Sequence, residues 1–281
     1  MHLESRLEQD LLFVDIVNPP VNCLSFGIRR DLYTTFTVSA LDPKVSGIVL
    51  GGSGKYFCAG GDLREMGTAL ASAEPRLSAD LLPAIERCPK PIIAAIHGGA
   101  IGGGFELALA CHYRVALANA RIALPEIQHG IIPLSGTIRL PRLWGIDRAL
   151  AMILDSTALL AEDFRGSAVF DCLVPCLESM PDAQHATLHN AVLKFAQHVV
   201  CADRNLANPA DRLVRNRPRA DTAAPDAFDA ALTRYTPQSF TLAQIAAVAA
   251  VRAGVESSDF DAALREAQRL YDGLVDSLPP R

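Results

Sequence analysis

The stretch HGGAIGGGFELAL, residues 97–109, follows the apolar run Pro91–Ile96 and sets five glycines ahead of a glutamate. A buried strand that ends near His97, turns through Gly98 and Gly99 and enters a helix around Gly102–Gly104 aims the unpaired N–H groups of that helix's first turn at whatever lies above it. Glycines let a ligand atom approach those groups. The arrangement suits an oxygen that gains negative charge. Glu106, three residues beyond Gly103, shares its side of the first helical turn. One alternative is purely structural: the glycines permit close helix packing, and the helix dipole accounts for the carboxylate. A dinucleotide turn needs glycines at its first, third and sixth positions, which no window here supplies.

A second loop of the same kind, GGSGKYFCAGGDL at residues 51–63, also follows an apolar strand and leads toward a helical pattern, with Asp62 placed as an N-cap. Two separate sources of backbone donors are then available. Lys55 does not make this a phosphate loop, because Val49 and Tyr56 occupy positions that such a loop needs for glycine and for serine or threonine.

The chain around these loops is long enough, at 281 residues, for one substantial domain with a smaller appendage. Half of it is hydrophobic and 20% is charged, which describes a globular protein and excludes a wholly disordered one. A net charge of -5 with no basic tail argues against nucleic acid as a partner. The opening MHLESRLEQD carries charges where an export signal needs an apolar core, so a cytoplasmic protein is expected. No apolar run reaches the roughly 18 to 20 residues that cross a bilayer, so it should be soluble, with no membrane partner. The seven cysteines (23, 58, 88, 111, 172, 176 and 201) form no CxxC pair and read as buried thiols. Cys172, Cys176, His185 and His189 fit no standard zinc spacing, so no metal is expected.

Strand and helix signals alternate through the first half. Leu11–Val17, Val45–Leu50 and Pro91–Ile96 read as strands, while Ile28, Leu32, Phe36 and Ala40 recur at helical spacing. Beyond Gly136 the pattern is almost wholly helical, with one segment through Leu143, Ala149 and Ile153 and another over Leu188–Val200. Residues 205–226 read as a linker or extended arm, and their Arg212, Arg215, Arg217 and Arg219 as a solvated face. Phe260, Leu264, Ala267, Tyr271 and Leu274 form an apolar stripe on a terminal helix, which packs either on its own domain or on a neighbouring subunit.

Taken together, Ala59-Gly60-Gly61-Asp62 and Gly102-Gly103-Gly104-Phe105-Glu106 closely resemble the crotonase superfamily, the enoyl-CoA hydratase and isomerase enzymes. The likeness extends to NPPVNCLS near the start, to ALPEIQHGIIP, which carries Glu126, and to GTIRLPRLWG and RGSAVFDCLVP. The resemblance implies an α/β fold: a crotonase-like ββα spiral core over residues 1–200, then a linker and helical trimerisation region over 201–281. It implies an acyl-CoA thioester as substrate, no separate cofactor, and assembly as a homotrimer or dimer of trimers. By motif, the N–H groups of Gly61 and Gly103 form the oxyanion hole and the Ala59 carbonyl faces the adenine amine. Gly60, Asp62 and Leu134 line the substrate and CoA site.

The same resemblance makes Glu106 mainly the base that activates water and Glu126 mainly the acid that protonates the α-carbon. Hydration of a 2,3-double bond is the leading expectation. Double-bond isomerisation, or acyl-CoA binding with little catalysis, are the alternatives. The chain departs from the family at Pro133-Leu134-Ser135-Gly136-Thr137, one residue shorter than the usual Pro-Gly-Ala-Gly-Gly-Thr. His97 and His129 read as neutral rings rather than catalysts. A lysine common ahead of the first helix is replaced by Pro19 and Pro20, leaving Arg29 and Arg30 as the nearest cations for the CoA phosphates.

Overall fold

β1 (Leu3–Glu8) and β2 (Leu11–Ile16) form an antiparallel hairpin whose two loop residues, Gln9 and Asp10, both take positive φ. A two-residue turn of that hand matches the natural twist of its strands. Every later neighbour in the main sheet is parallel, through β3 (Gly47–Gly52), β4 (Ile92–Ile96), β6 (Tyr113–Leu117) and β9 (Cys172–Val174), in the order β1-β2-β3-β4-β6-β9. The structure, a computed structural model, describes residues 2–176, 180–201, 209–217 and 227–278.

Parallel strands need cover on both faces, which is why these runs are mostly apolar. On one face, Ile28, Leu32 and Phe36 of α1 (Phe26–Ser39) join Ile48, Leu50, Ile92 and Ala94 in the larger core. The other face packs Phe13, Val49, Ile93 and Val115 against Leu188, Val192 and Ala196 of α7 (Pro181–Ala196). Two short helices, α2 (Ala69–Ser72) and α3 (Leu82–Glu86), lie between β3 and β4.

A smaller sheet decides where the chemistry sits. β5 (Gly99–Ile101) pairs in parallel with β7 (Arg121–Ala123), and β8 (Leu159–Leu160) closes on β7 antiparallel. β5 runs directly into α4 (Gly103–Ala110). These two- and three-residue strands are too short for a periodic signal, so the sequence shows 97–102 only as a turn and the stretch after Gly136 as helical.

That stretch does contain α5 (Gly136–Trp144) and α6 (Ile146–Asp155), followed by α8 (Ala227–Leu232), α9 (Leu242–Glu256) and α10 (Phe260–Ser277). α9 starts at a Thr241–Gln244 capping box, buries Ala243, Ala247 and Ala250, and packs on α5 and α10. The terminal stripe packs on its own chain: Phe260, Ala263, Ala267 and Leu274 are buried in the larger core, with Leu264 and Tyr271 at its edge.

The solvated-face reading of the arginines is corrected. Residues 209–217 form two short 3₁₀ turns in which Arg212 pairs with Asp171, and Arg215 bridges Glu86 and Asp261, both at 3.0 Å. Arg219 and the remainder of the 205–226 segment lie outside the described residues. Three cysteines, Cys58, Cys88 and Cys111, are buried thiols as expected, whereas Cys23, Cys172 and Cys176 are half-buried; none of these six is in a disulfide among the described residues, and the Cys201 side chain lies outside them. No helix among the described residues is long and apolar enough to cross a membrane.

Candidate active site

The two glycine loops are zipped together through their backbones. Phe57 N–H donates to His97 O at 3.1 Å, Cys58 N–H to Gly99 O at 3.1 Å, and Ile101 N–H to Cys58 O at 3.0 Å. So close an approach leaves no room for a side chain at Gly104, where a Cβ would lie 2.3 Å from Cys58 O. The structural explanation of the glycines is therefore correct for part of the motif. Gly60, with φ of 90°, turns the first loop so that Gly61 and Gly103 come side by side. A Cβ on Gly103 would sit 3.5 Å from Gly61 N. Neither N–H donates a hydrogen bond within the described residues. Two adjacent, unspent donors are the arrangement that an oxyanion requires.

The two glutamates come from neighbouring strands of the small sheet. β5 feeds α4, whose first turn carries Glu106; β7 feeds a 3₁₀ turn, Glu126–His129, whose first residue is the second acid. Gly102 N–H donates to Ala123 O at 2.8 Å and ties the two strand ends together. The bare Cα of Gly102 admits the Glu126 carboxylate, whose Oε1 lies 2.6 Å from where a Cβ would stand.

Their surroundings differ. Glu106 is buried, and its Oε1 accepts from Ser135 N–H at 2.6 Å and Gly136 N–H at 2.7 Å, the amides at the start of α5. The 133–137 loop is thus the clamp on Glu106. Burial raises the Glu106 pKa, opposed by those amides and by the charge of Arg139. Glu126 has no such clamp. Its Oε2 is buried with no partner among the described residues, and its pKa is raised well above 4.5, first by burial and then by the Glu106 charge. Two amides and the Arg139 charge thus favour the charged form of Glu106, whereas the Glu106 charge disfavours that of Glu126.

Both acids open on a cavity of about 840 Å³. Gly61 and Gly103 line it with them, and so do Ala59, Gly60, Asp62 and Leu134. His129 lines it too. α10 closes the far side with Gln268, Tyr271 and Val275. Tyr271 lies close enough to feel both acids: burial, then Glu106 and Glu126, push its pKa up to about 12.

Three sequence expectations need correction. Asp62 does not cap a helix, because residues 63–67 form turns and α2 begins only at Ala69 with Thr68 as its cap. Asp62 instead accepts from Arg64 N–H at 3.0 Å and pairs with the Arg64 guanidinium at 2.7 Å, which holds its carboxyl below the usual range. Arg29 is not free for a phosphate: it is buried, and its guanidinium binds the Leu24, Leu70 and Pro75 carbonyls and Glu65. Arg30 pairs with Asp31 away from the cavity. The cations on the rim are Arg64 and Arg76, whose side chains are 82% and 47% exposed. No spacing rule marks them, because the turns that carry them have no periodic pattern.

His97 matches its bland reading. Its Nε2 lies 3.0 Å from Gly54 O, its ring meets His185 edge-on at 4.2 Å, and burial followed by His185 lowers its pKa to about 4. It faces a separate cavity under α7.

The model of the enoyl-CoA hydratase/isomerase family matches residues 6–241. A Bacillus subtilis protein named "Probable enoyl-CoA hydratase" is 43% identical over 152 residues, which cover 52% of this chain and 59% of that protein. The Homo sapiens "Peroxisomal bifunctional enzyme" is 32% identical over 275 residues, 97% of this chain and 36% of that protein. The chain therefore spans less than two thirds of either relative's length. The crystal structure of an enoyl-CoA hydratase from Bacillus anthracis shares the fold, with a TM-score of 0.64 at 24% identity over 99% of this chain and 92% of that one.

Proposed function

The chain belongs to the enoyl-CoA hydratase/isomerase family, and from that premise we propose that it adds water across the 2,3-double bond of an enoyl-CoA thioester. The observation that carries this reading is the split environment of two carboxyl groups on one cavity: Glu106 clamped by two amides, Glu126 buried with an unpartnered oxygen.

The thioester oxygen lies between the Gly61 and Gly103 N–H groups. Charge flows onto it as the double bond is attacked, and preorganised donors favour that charged state; losing one typically costs about 3 to 4 kcal/mol of barrier. Glu106, ionised, takes a proton from water as the water oxygen bonds to the β-carbon. Glu126, still protonated, gives its proton to the α-carbon as the enolate collapses. The substrate gains one OH and one H. The proton on Glu106 leaves to solvent and another restores Glu126, so the pair is reset.

In this reading the CoA phosphates lie against Arg64 and Arg76, and the Ala59 carbonyl accepts from the adenine amine. Gly60, Asp62 and Leu134 shape the walls. The linker and helical region over 201–281 assembles a homotrimer or dimer of trimers beside the 1–200 core.

The test is the conjugated thioester absorbance of crotonyl-CoA or a longer enoyl-CoA, which disappears as hydration proceeds. Glu126→Gln is expected to slow that loss by about 100-fold to 10,000-fold, the usual worth of a positioned acid. Unchanged turnover by this variant overturns the assignment. Conjugation gained from a 3-enoyl-CoA without hydration assigns the chain to isomerisation, and tight binding of saturated acyl-CoA with no turnover assigns it to binding alone.

A further inference from the structure

α10 crosses the cavity as a fixed beam. At its start, Phe260 is buried against the guanidiniums of Arg139, Arg142 and Arg215, at 5.2, 4.8 and 4.9 Å from its ring centroid, and Asp259 caps the helix by accepting from Asp261 and Ala262 N–H. Beyond its other end, Leu278 packs at Gly130, close to the 3₁₀ turn that carries Glu126. Between these anchors, Gln268, Tyr271, Asp272 and Val275 fall at helical spacing on the face that lines the cavity.

Only one polar side chain among these four is uncommitted. Gln268 Nε2 donates to Asp272 Oδ1 at 2.7 Å, which ties those two side chains to each other. The Tyr271 hydroxyl makes no hydrogen bond within the described residues. It shares its cavity with Glu106 and Glu126, and its pKa of about 12 keeps the O–H intact through the neutral range.

We propose that Tyr271 is a substrate-contacting residue that donates its phenolic O–H to the oxygen at the β-carbon, first that of the attacking water and then the 3-hydroxyl of the product. The inference rests on the hydratase reading above. Gly61 and Gly103 already serve the thioester oxygen, whereas the water meets Glu106 only as an acceptor. A donor on the other side of the water fills one lone pair and leaves the second aimed at the β-carbon. Tyr271 carries the one hydroxyl that α10 presents to the cavity and can supply it.

Tyr271→Phe keeps the ring and its packing while deleting the donor. For crotonyl-CoA hydration, kcat is expected to fall about 3- to 10-fold, the factor that one neutral hydrogen bond is worth, with KM little changed. The more specific readout compares 3-hydroxybutyryl-CoA with butyryl-CoA, two ligands that differ only at the β-oxygen. The variant should weaken the first by a similar factor and leave the second unaltered. Equal weakening of both, or no change in either, overturns the proposal. Wild-type protein that hydrates no enoyl-CoA overturns the hydratase reading itself, a result distinct from a wild-type enzyme whose Tyr271→Phe variant is equally fast.

Discussion

Glu86 and Glu106 are buried to nearly the same degree, 6% and 4% exposed, and the chain treats them in opposite ways. Glu86 sits between two guanidiniums, Arg139 at 2.6 Å and Arg215 at 3.0 Å, in a sealed cluster that also holds Phe260. Glu106 meets no cation at ion-pair distance among the described residues; it is held by two amides and opens on a cavity, beside a second acid with even less support. Desolvation penalises both charges alike. A cationic partner offsets that penalty by fixing the charge. Backbone amides offset part of it and leave a proton that moves, which is what acid–base chemistry requires.

The largest effect should come from breaking the sealed cluster. Glu86→Ala strands the Arg139 guanidinium, itself fully buried, without its carboxylate, and losing one partner of a buried pair typically costs about 3 to 5 kcal/mol. Denaturant unfolding measures this. Glu106→Gln keeps an oxygen for the same two amides and leaves no buried charge unpaired, so its loss should be well below that of Glu86→Ala. Equal losses would remove the distinction between a structural acid and a reactive one.

The glycines repeat the contrast on a smaller scale. Gly104→Ala drives a methyl into Cys58 O at 2.3 Å, a contact with backbone that cannot swing away, and should cost about 2 to 3 kcal/mol. Gly61→Ala points its methyl into open space and should cost less than about 1 kcal/mol. Thermal unfolding of the two variants side by side decides the matter. A severe loss at Gly61 would mean that this loop, too, is built for packing.

That division explains what could be seen in the sequence. The main sheet was legible because β3 and β4 are buried on both faces and read as short apolar runs, and β2 is apolar but for Asp15; α1 was legible because Ile28, Leu32 and Phe36 keep helical spacing. The motif residues converge on one cavity because each lies in a segment that follows a strand end. β5, β7 and β8 were hidden by their length, and with them the reason that Glu106 and Glu126 meet. Ser135 and Gly136 were hidden because a backbone N–H leaves no mark in a side-chain pattern. Arg215 looked solvated because its partners, Glu86 and Asp261, are 129 and 46 positions away. The place of Tyr271 depends on a register at the stripe's edge: the stripe sets which side of α10 is buried, and only the folded chain shows what lies beyond its border.

The smallest effect tests the proton itself. An unfolded glutamate titrates near 4.5, and in the folded chain Glu126 titrates well above that value. Between the two, the folded state keeps a proton that the unfolded state has released. Stability is then fully present below about pH 4.5 and falls as pH rises through the folded pKa, by at most about 1.4 kcal/mol per pH unit for one proton. Glu126→Gln cannot titrate, so its stability should lack this decline, and near neutral pH it should equal or slightly exceed the wild type. Urea unfolding of both proteins from pH 4 to pH 8 measures the difference. Parallel profiles would mean that folding does not hold the Glu126 proton, and would take from the cavity the proton donor that its chemistry needs.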